Sequence, residues 1–154
     1  MGDVAHRPRS GTGREARHRA REAALQMLYQ WEIGRLPLAQ VTGDFWRVPG
    51  GTAHVVPESV QAFAVELVSG VVQHLEALDV LIVEAAEHWR LDRMAVIDRA
   101  ILRLAVFEFV HVPATPAKVV INEALELART FSTDDAVRFI NGILDGIRRR
   151  LERV

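Results

Sequence analysis

The stretch AVIDRAILRLAVFEFVH, residues 95–111, decides the fold because it is apolar on most sides of the helix that it predicts. Its apolar surface is interrupted only by two charged side chains near its start and two further along. A helix that is apolar around most of its circumference has to be covered by other elements on nearly all sides. We therefore predict that this helix lies at the centre of the molecule. The apolar positions that carry the argument are Ile97, Ile101, Leu102, Leu104, Val106 and Phe109.

Amphipathic patterns before and after this stretch predict the helices that surround it. Ser132 to Asp135 supply a hydroxyl cap and two carboxylates at the start of the last helix. Thr115 and Pro116 open the helix before it. No segment shows the alternation typical of a strand, so we predict an all-α fold. The predicted helices cover residues 14–34, a short segment at 38–46, a long stretch from 58 to a break near 77–79, its continuation to 89, then 95–111, 115–131 and 133–151.

The sequence predicts one domain preceded by a short N-terminal tail. Residues 1–13 contain Pro8, Gly11 and Gly13 without apolar periodicity, which predicts a flexible basic tail. Residues 14–154 form the single all-helical domain. Within it, Gly142 and Gly146 stand four residues apart, which predicts that a neighbouring helix approaches the last helix closely.

The composition excludes several classes of protein. The chain has 154 residues, is 49% hydrophobic and 25% charged, and contains no cysteine, so disulfide frameworks and thiolate metal sites are ruled out. No apolar run approaches the ~20 residues that span a bilayer, and no secretory signal is present. Glu84 and His88 could share a metal in principle, but two ligands leave the coordination sphere incomplete. We expect a cytoplasmic protein that is not an enzyme and needs no metal and no cofactor.

Charge is distributed unevenly along the chain. Residues 1–21 hold six arginines against two acidic residues, whereas the whole chain, with 19 basic and 20 acidic residues, has a net charge of −1. A basic end on an acidic body is typical of an arm that binds a polyanion.

The arginines of the first helix have helical spacing. Arg14, Arg17 and Arg21 stand at i, i+3 and i+7, which predicts that they share a face, with His18 beside Arg14. Arginine binds phosphate bidentately and stacks on bases, so this face favours RNA, although a merely solubilising basic end remains an alternative. Gln26 on the same helix could read a base edge. Phe139 could offer an aromatic face to a base, or it could be core packing.

A second group of polar residues lies on the otherwise apolar central helix. Asp98 with Arg99, and further along Arg103 and Glu108, interrupt its apolar surface. Because buried charges are costly unless paired, these residues form either an internal ion-pair network or an exposed docking strip. Tyr29 is either a core aromatic or an interface anchor. Spacing alone leaves both questions open.

Four separated segments of the chain share features with one known family. The segments are ARHRAREAALQMLYQWE (16–32), DRAILRLAVFEF (98–109), PAKVVINEALELARTF (116–131) and DAVRFINGILDGI (135–147). In this order they resemble the NusB family of transcription antitermination factors, and the resemblance covers residues 14–150 apart from the loop at 35–57. A match of four segments is far more specific than a match of any one.

The resemblance implies an all-helical fold of about seven helices in two small bundles. It also implies a function without catalysis. The protein would bind the single-stranded boxA element of ribosomal RNA leader transcripts together with the ribosomal protein NusE. The heterodimer would then join other Nus factors on RNA polymerase, which elongates past terminators.

The resemblance also implies roles for particular residues. The family's arginine-rich RNA-binding motif falls on Arg17, His18, Arg19 and Arg21, and Arg14 extends it. Histidine at position 18 departs from an unbroken arginine run, and with an ordinary pKa it would be mostly neutral at pH 7.

Other matched positions divide between the two partners. Asp135 and Phe139 match the RNA-proximal start of the last helix, and Gln26 a polar position of the first. Tyr29 and Asp98 match positions that face NusE, with Arg103 and Glu108 nearby. Asn122 and Asn141 match as well, and we interpret them as structural amides.

Two other functions fit parts of this pattern. NusB-like domains also occur in RNA cytosine methyltransferases, but that function would require a catalytic domain after Val154, so we expect the antitermination factor instead. A homodimer whose arginine surface packs against itself is the second alternative, and it is compatible with RNA binding when the dimer opens.

Overall fold

The computed structural model describes residues 9–47, 56–87 and 89–151, with side chains from residue 13 onward. It contains seven α-helices and no strand within these ranges, so the predicted all-α fold of about seven helices is confirmed. The helices are α1 (Arg9–Gly34), α2 (Leu38–Asp44), α3 (Glu58–Gln73), α4 (Leu75–Ala85), α5 (Val96–His111), α6 (Ala117–Phe131) and α7 (Asp134–Arg150), with one short 3-10 turn at Leu91–Arg93.

Helix α5 lies at the centre, as its apolar circumference predicts. Every residue from Ala100 to Phe109 is buried. Helix α1 packs against α2 and α3, helix α7 packs against α4 and α6, and α5 packs against α1, α3, α4, α6 and α7. The central helix therefore joins the two groups of helices into one core. No helix in the described ranges is long and apolar enough to cross a membrane.

Several helix boundaries differ from the prediction, among them the end of α4, which lies at Ala85 rather than near residue 89. Helix α1 begins at Arg9, so residues 9–13 of the predicted tail are helical, and residues 1–8 lie outside the described ranges. A helix start tolerates a preceding proline such as Pro8, and each glycine costs an interior position only ~1 kcal/mol. The break predicted near 77–79 falls instead at His74, whose Nδ1–H donates to the carbonyl oxygen of Gly70 at 3.0 Å.

The start of α7 agrees with the prediction, and that of α6 differs by one residue. Thr133 caps α7, because its hydroxyl accepts from the backbone N–H of Ala136 at 3.1 Å. Helix α6 is preceded directly by Pro116, whose carbonyl accepts from the N–H of Val120 at 3.1 Å, so Thr115 does not occupy the capping position.

The close approach predicted at Gly142 and Gly146 is wrong, and it occurs at Gly70 instead. A Cβ added at Gly142 would meet nothing within 4 Å, and one at Gly146 would only touch Ala85. At Gly70 it would stand 2.2 Å from the ring of Phe107 on α5. The absence of a side chain at Gly70 is therefore what lets α3 lie against the central helix.

Gly70→Ala should destabilise the protein, because the added methyl group would force the Phe107 ring, which is buried and stacked on His111, to move. We expect a loss of roughly 1–3 kcal/mol in the free energy of unfolding, the usual cost of overpacking a core. Gly142→Ala is the matched control, and its better helix propensity should leave stability unchanged or raise it by up to ~1 kcal/mol. Urea unfolding followed by circular dichroism measures both. Equal stabilities of the two variants would contradict the packing described here.

Candidate functional site: an arginine groove on the first helix

The three arginines with helical spacing line one groove, as predicted. Arg14, Arg17 and Arg21 project from the first half of α1 toward the start of α6. The groove has a volume of about 560 Å³. We call it the arginine groove, and the residues that line it are Arg14, Arg17, Arg21, Ala114, Thr115, Pro116, Val119, Asn122 and Glu123.

Arg21 is not available to a ligand in the way that the sequence predicts. Arg21 is only 4% exposed. Its Nε and one terminal nitrogen donate to the two carboxylate oxygens of Glu108, each at 2.8 Å. Burial acts to lower the pKa of Arg21, but the hydrogen bonds and charge of Glu108 raise it overall, so the guanidinium stays charged. Arg21 therefore belongs to the core, and its prediction as an RNA-binding side chain is wrong.

The prediction that Glu108 binds a protein partner is wrong for the same reason. It is 2% exposed and lies on the face of α5 that α1 covers, so it cannot contact a protein partner as predicted. The two residues are 87 positions apart in the chain. Helical spacing predicts which face a side chain occupies, but not which helix covers that face.

Exposed positive charge in the arginine groove comes from Arg14 and Arg17. Both are exposed, and the guanidinium of Arg17 lies over the ring of Phe63 with 4.4 Å between its central carbon and the ring centroid. Arg21 approaches the same ring at 5.6 Å. Phe63, a partly buried residue of α3, thus orients two arginines. Arg19 is exposed outside the groove.

His18 lies between two carboxylates. Its Nδ1 is 2.9 Å from Glu123 on α6, and its Nε2 is 3.1 Å from Glu22 on α1. The hydrogen bond to Glu123 is the largest influence on the pKa of His18 and raises it, against a smaller opposing effect of burial. The assumption of an ordinary pKa for His18 is therefore wrong: two acceptors stabilise its doubly protonated, positively charged form and raise the pKa.

A further stripe of exposed side chains runs along α1. Arg19, Gln26 and Tyr29 are all exposed, and Ile33 continues the stripe at 54% exposure. Tyr29 is 41% exposed, which excludes its interpretation as a core aromatic. Gln26 is not among the residues that line the arginine groove.

Asp135 and Phe139 lie in a separate cavity near the start of α7. Phe139 is half-buried and meets the ring of Trp89 edge-on, with 5.0 Å between centroids. Asp135 is exposed and accepts from Arg138 at 2.6 Å. Asp98, predicted to face a protein partner, lines the same cavity of about 400 Å³ and accepts from the hydroxyl of Ser132 at 2.6 Å. The same cavity is therefore lined by two residues predicted to bind RNA, Asp135 and Phe139, and by one predicted to bind the protein partner, Asp98.

The cavity and the arginine groove are at opposite ends of α6. The groove involves the first turns of this 15-residue helix, and the cavity lies beyond its last residue, which puts them ~20 Å apart along the helix. The predicted RNA-binding residues therefore do not form one site. Arg14, Arg17 and Arg21 line the groove, Asp135 and Phe139 line the cavity, and Arg19 and Gln26 lie on α1 outside both.

Arg103 is also part of the interior. It is 8% exposed, donates to both carboxylate oxygens of Asp79 at 2.8 and 2.9 Å, and to Glu32 at 3.3 Å. Arg99 pairs with the same Glu32. For Arg99, Arg103 and Glu108 the ion-pair network is the correct alternative, and Arg103 is too buried for the predicted role in partner binding, whereas Asp98 is not part of the network. Charges on a central helix need partners within the fold.

Asn122 lines the arginine groove, and its interpretation as a structural amide is wrong. Its side chain is exposed in the arginine groove and forms no hydrogen bond with any other residue that the structure describes. A free amide beside two exposed guanidinium groups can donate to and accept from the edge of a base. The sequence around Asn122 does not indicate that its side chain faces the arginines of α1. The groove exists only where α6 lies beside α1, and local sequence does not predict that arrangement.

Comparison with known proteins gives a consistent result. The NusB family profile matches residues 18–149. The chain is 45% identical over 136 residues to the transcription antitermination protein NusB of Koribacter versatilis, covering 88% of this chain and 90% of that protein. It is 42% identical over 139 residues to the protein of the same name from Sorangium cellulosum, covering 90% and 96%.

Solved structures agree with the sequence comparison. NusB of T. maritima matches with a TM-score of 0.77 and 32% identity, covering 86% of this chain and 90% of that one. A structure of antitermination factors NusB and NusE in complex with double-stranded RNA matches with a TM-score of 0.76 at 23% identity, covering 88% and 98%, which supports the fold.

Arg21→Ala should unfold the protein readily, because it leaves Glu108 charged and buried without a partner. We expect a loss of about 3–5 kcal/mol in the free energy of unfolding. Arg19→Ala removes the same charge two residues away from an exposed position, and it should change stability by less than ~0.5 kcal/mol. Denaturant titration of the two variants compares them, and an Arg21→Ala variant as stable as Arg19→Ala would show that the pair is not part of the core.

Proposed function

The chain belongs to the NusB family, and we propose that it is a transcription antitermination factor that binds boxA RNA of ribosomal RNA leader transcripts through the arginine groove. In this function it forms a heterodimer with the ribosomal protein NusE in the cytoplasm. The pair then joins other Nus factors on RNA polymerase and supports elongation by binding rather than by catalysis. The observation that carries the proposal is the pair of exposed guanidinium groups, Arg14 and Arg17, in the arginine groove.

The chemistry of the groove supports RNA as its ligand. Arginine offers a planar fork for phosphate and a flat surface for a base, and Phe63 orients Arg17 for both. The amide of Asn122 adds a group that can distinguish bases. With few exposed charges, the groove should bind RNA weakly by itself, which is consistent with the need for a protein partner.

The cavity at the start of α7 is proposed as a second RNA contact. Phe139 and Trp89 offer aromatic surface for stacking, and Asp135 is an exposed acceptor. A single strand that follows α6 from the arginine groove would reach this cavity. Gln26 and Arg19, exposed on the neighbouring stripe of α1, are proposed as further contacts.

NusE is proposed to bind the exposed stripe on the second half of α1. Tyr29 and Ile33 expose large apolar side chains there, as an interface core requires. Asp98 is proposed as a second contact, since it is only partly buried and lines the open cavity near Phe139. The proposal places RNA mainly on the first half of α1 and the protein partner on the second.

Replacing both exposed arginines of the groove should weaken RNA binding and reduce its salt dependence. For Arg14→Ala with Arg17→Ala, we expect the slope of log K against log salt to fall by about 0.7 for each lost phosphate contact. The control is Arg47→Ala with Arg149→Ala, which removes two exposed arginines that line neither the groove nor the cavity near Phe139. Filter binding of single-stranded boxA RNA measures both. If the control weakens binding as much as the groove variant, the groove is not the RNA site.

Tyr29→Ala should weaken binding of NusE without changing binding of RNA to the isolated protein. An exposed tyrosine at the centre of an interface is typically worth ~2 kcal/mol, or about thirtyfold in affinity. Val110→Ala shortens an exposed apolar side chain on α5 and serves as the control. Calorimetry with purified NusE tests the prediction, and an unchanged affinity of Tyr29→Ala would place the interface elsewhere.

A further inference from the structure

A carboxylate lies inside the arginine groove, where an RNA-binding surface would be expected to be purely basic. Glu123 projects from α6 into the groove, and its side chain is 17% exposed. One of its oxygens is 2.9 Å from His18 and 3.6 Å from Arg21. Arg14 and Arg17 line the same groove. A phosphate that binds these arginines therefore approaches a negative charge that the protein itself provides.

The charges around the groove almost cancel. Arg21 is neutralised by Glu108, and His18 has Glu22 and Glu123 beside it. Arg14 and Arg17 have no ion pair with any residue in the described ranges. The two carboxylates next to His18 thus offset the two free arginines, and protonation of His18 decides whether the site as a whole is neutral or positive.

We infer that Glu123 is an internal competitor of RNA phosphate, which limits the affinity of the arginine groove and couples RNA binding to protonation of His18. The inference rests on the proposed function and identifies how the same site is regulated. When His18 is protonated, it neutralises Glu123, and phosphate binds Arg14 and Arg17 with less repulsion. When His18 loses its proton, the full charge of Glu123 opposes the phosphate.

The direction of the pH dependence follows from the groups that face His18. On α1 these are Glu22, with Arg14 and Arg21 one turn away on either side; on α6 there is Glu123; and on α5 Glu108 stands behind Arg21. The two carboxylates in direct contact favour the protonated form, and a bound phosphate favours it further. RNA affinity should therefore rise as pH falls through the pKa of His18, which the hydrogen bond to Glu123 raises above its ordinary value.

The test compares two substitutions that each remove one carboxylate charge. Glu123→Gln keeps the shape and a hydrogen-bond acceptor for His18, whereas Glu76→Gln removes an exposed carboxylate of α4 that lines neither the groove nor the cavity near Phe139. For single-stranded boxA RNA at pH 7.5, we expect Glu123→Gln to bind about three- to tenfold more tightly than wild type. Its salt slope should be steeper by up to about 0.7. Glu76→Gln should bind like wild type within about twofold.

The outcomes separate this inference from the proposed function. If Glu123→Gln and Glu76→Gln bind alike while loss of Arg14 and Arg17 abolishes binding, the groove binds RNA and the role of Glu123 is wrong. If wild type fails to bind but Glu123→Gln binds, the inference is supported. If neither binds, both the inference and the proposed function are overturned.

A second measurement does not depend on the folding of Glu123→Gln. The affinity of wild type for RNA should increase several-fold between pH 8 and pH 6, and His18→Gln should remove most of that increase. Circular dichroism at each pH confirms that the fold persists. An increase that survives in His18→Gln, or no increase in wild type, would overturn the coupling.

Discussion

The buried ion pair between Arg21 and Glu108 is the interaction on which the rest of the structure depends. Two charges in a protein interior are tolerated only if their geometry is good and each is fully paired. The guanidinium and carboxylate satisfy this with two parallel hydrogen bonds of 2.8 Å. Because the pair joins α1 to the central helix α5, it fixes how far along and at what rotation α1 lies on the core. Any sliding of α1 would leave both charges buried and unpaired.

That constraint separates the arginines of α1 into two kinds. Arg21 holds the helix in place, and Arg17 and Arg14, one and two turns earlier, are exposed beside α6. The same rotation brings His18 against Glu123, so that a carboxylate of α6 becomes part of the groove. The arginines that line the groove look alike in the sequence, but Arg21 is structural and only Arg14 and Arg17 are free to bind a ligand. The count of arginines also overestimates the positive charge of the groove, because Glu22 and Glu123 lie beside it.

Much of the fold is predictable from the sequence because it depends on local pattern. The apolar circumference of residues 95–111 identified the central helix, and Thr133 identified the start of the last one. The site is less predictable because it depends on pairs far apart in the chain. Arg21 meets Glu108 across 87 positions, and His18 meets Glu123 across 105. Periodicity places each residue on a face, but only the packing of α1 on α5 and α6 decides which faces are covered.

The most direct test replaces the buried pair with apolar side chains of similar size, Arg21→Met with Glu108→Leu, which leaves the net charge unchanged. Such replacements of buried ion pairs are often neutral or stabilising. The measurement is the salt dependence of binding to single-stranded boxA RNA. If Arg21 is structural, the double variant should fold and retain the wild-type slope. A slope lower by about 0.7, the loss of one phosphate contact in a single strand, would show that Arg21 binds RNA after all.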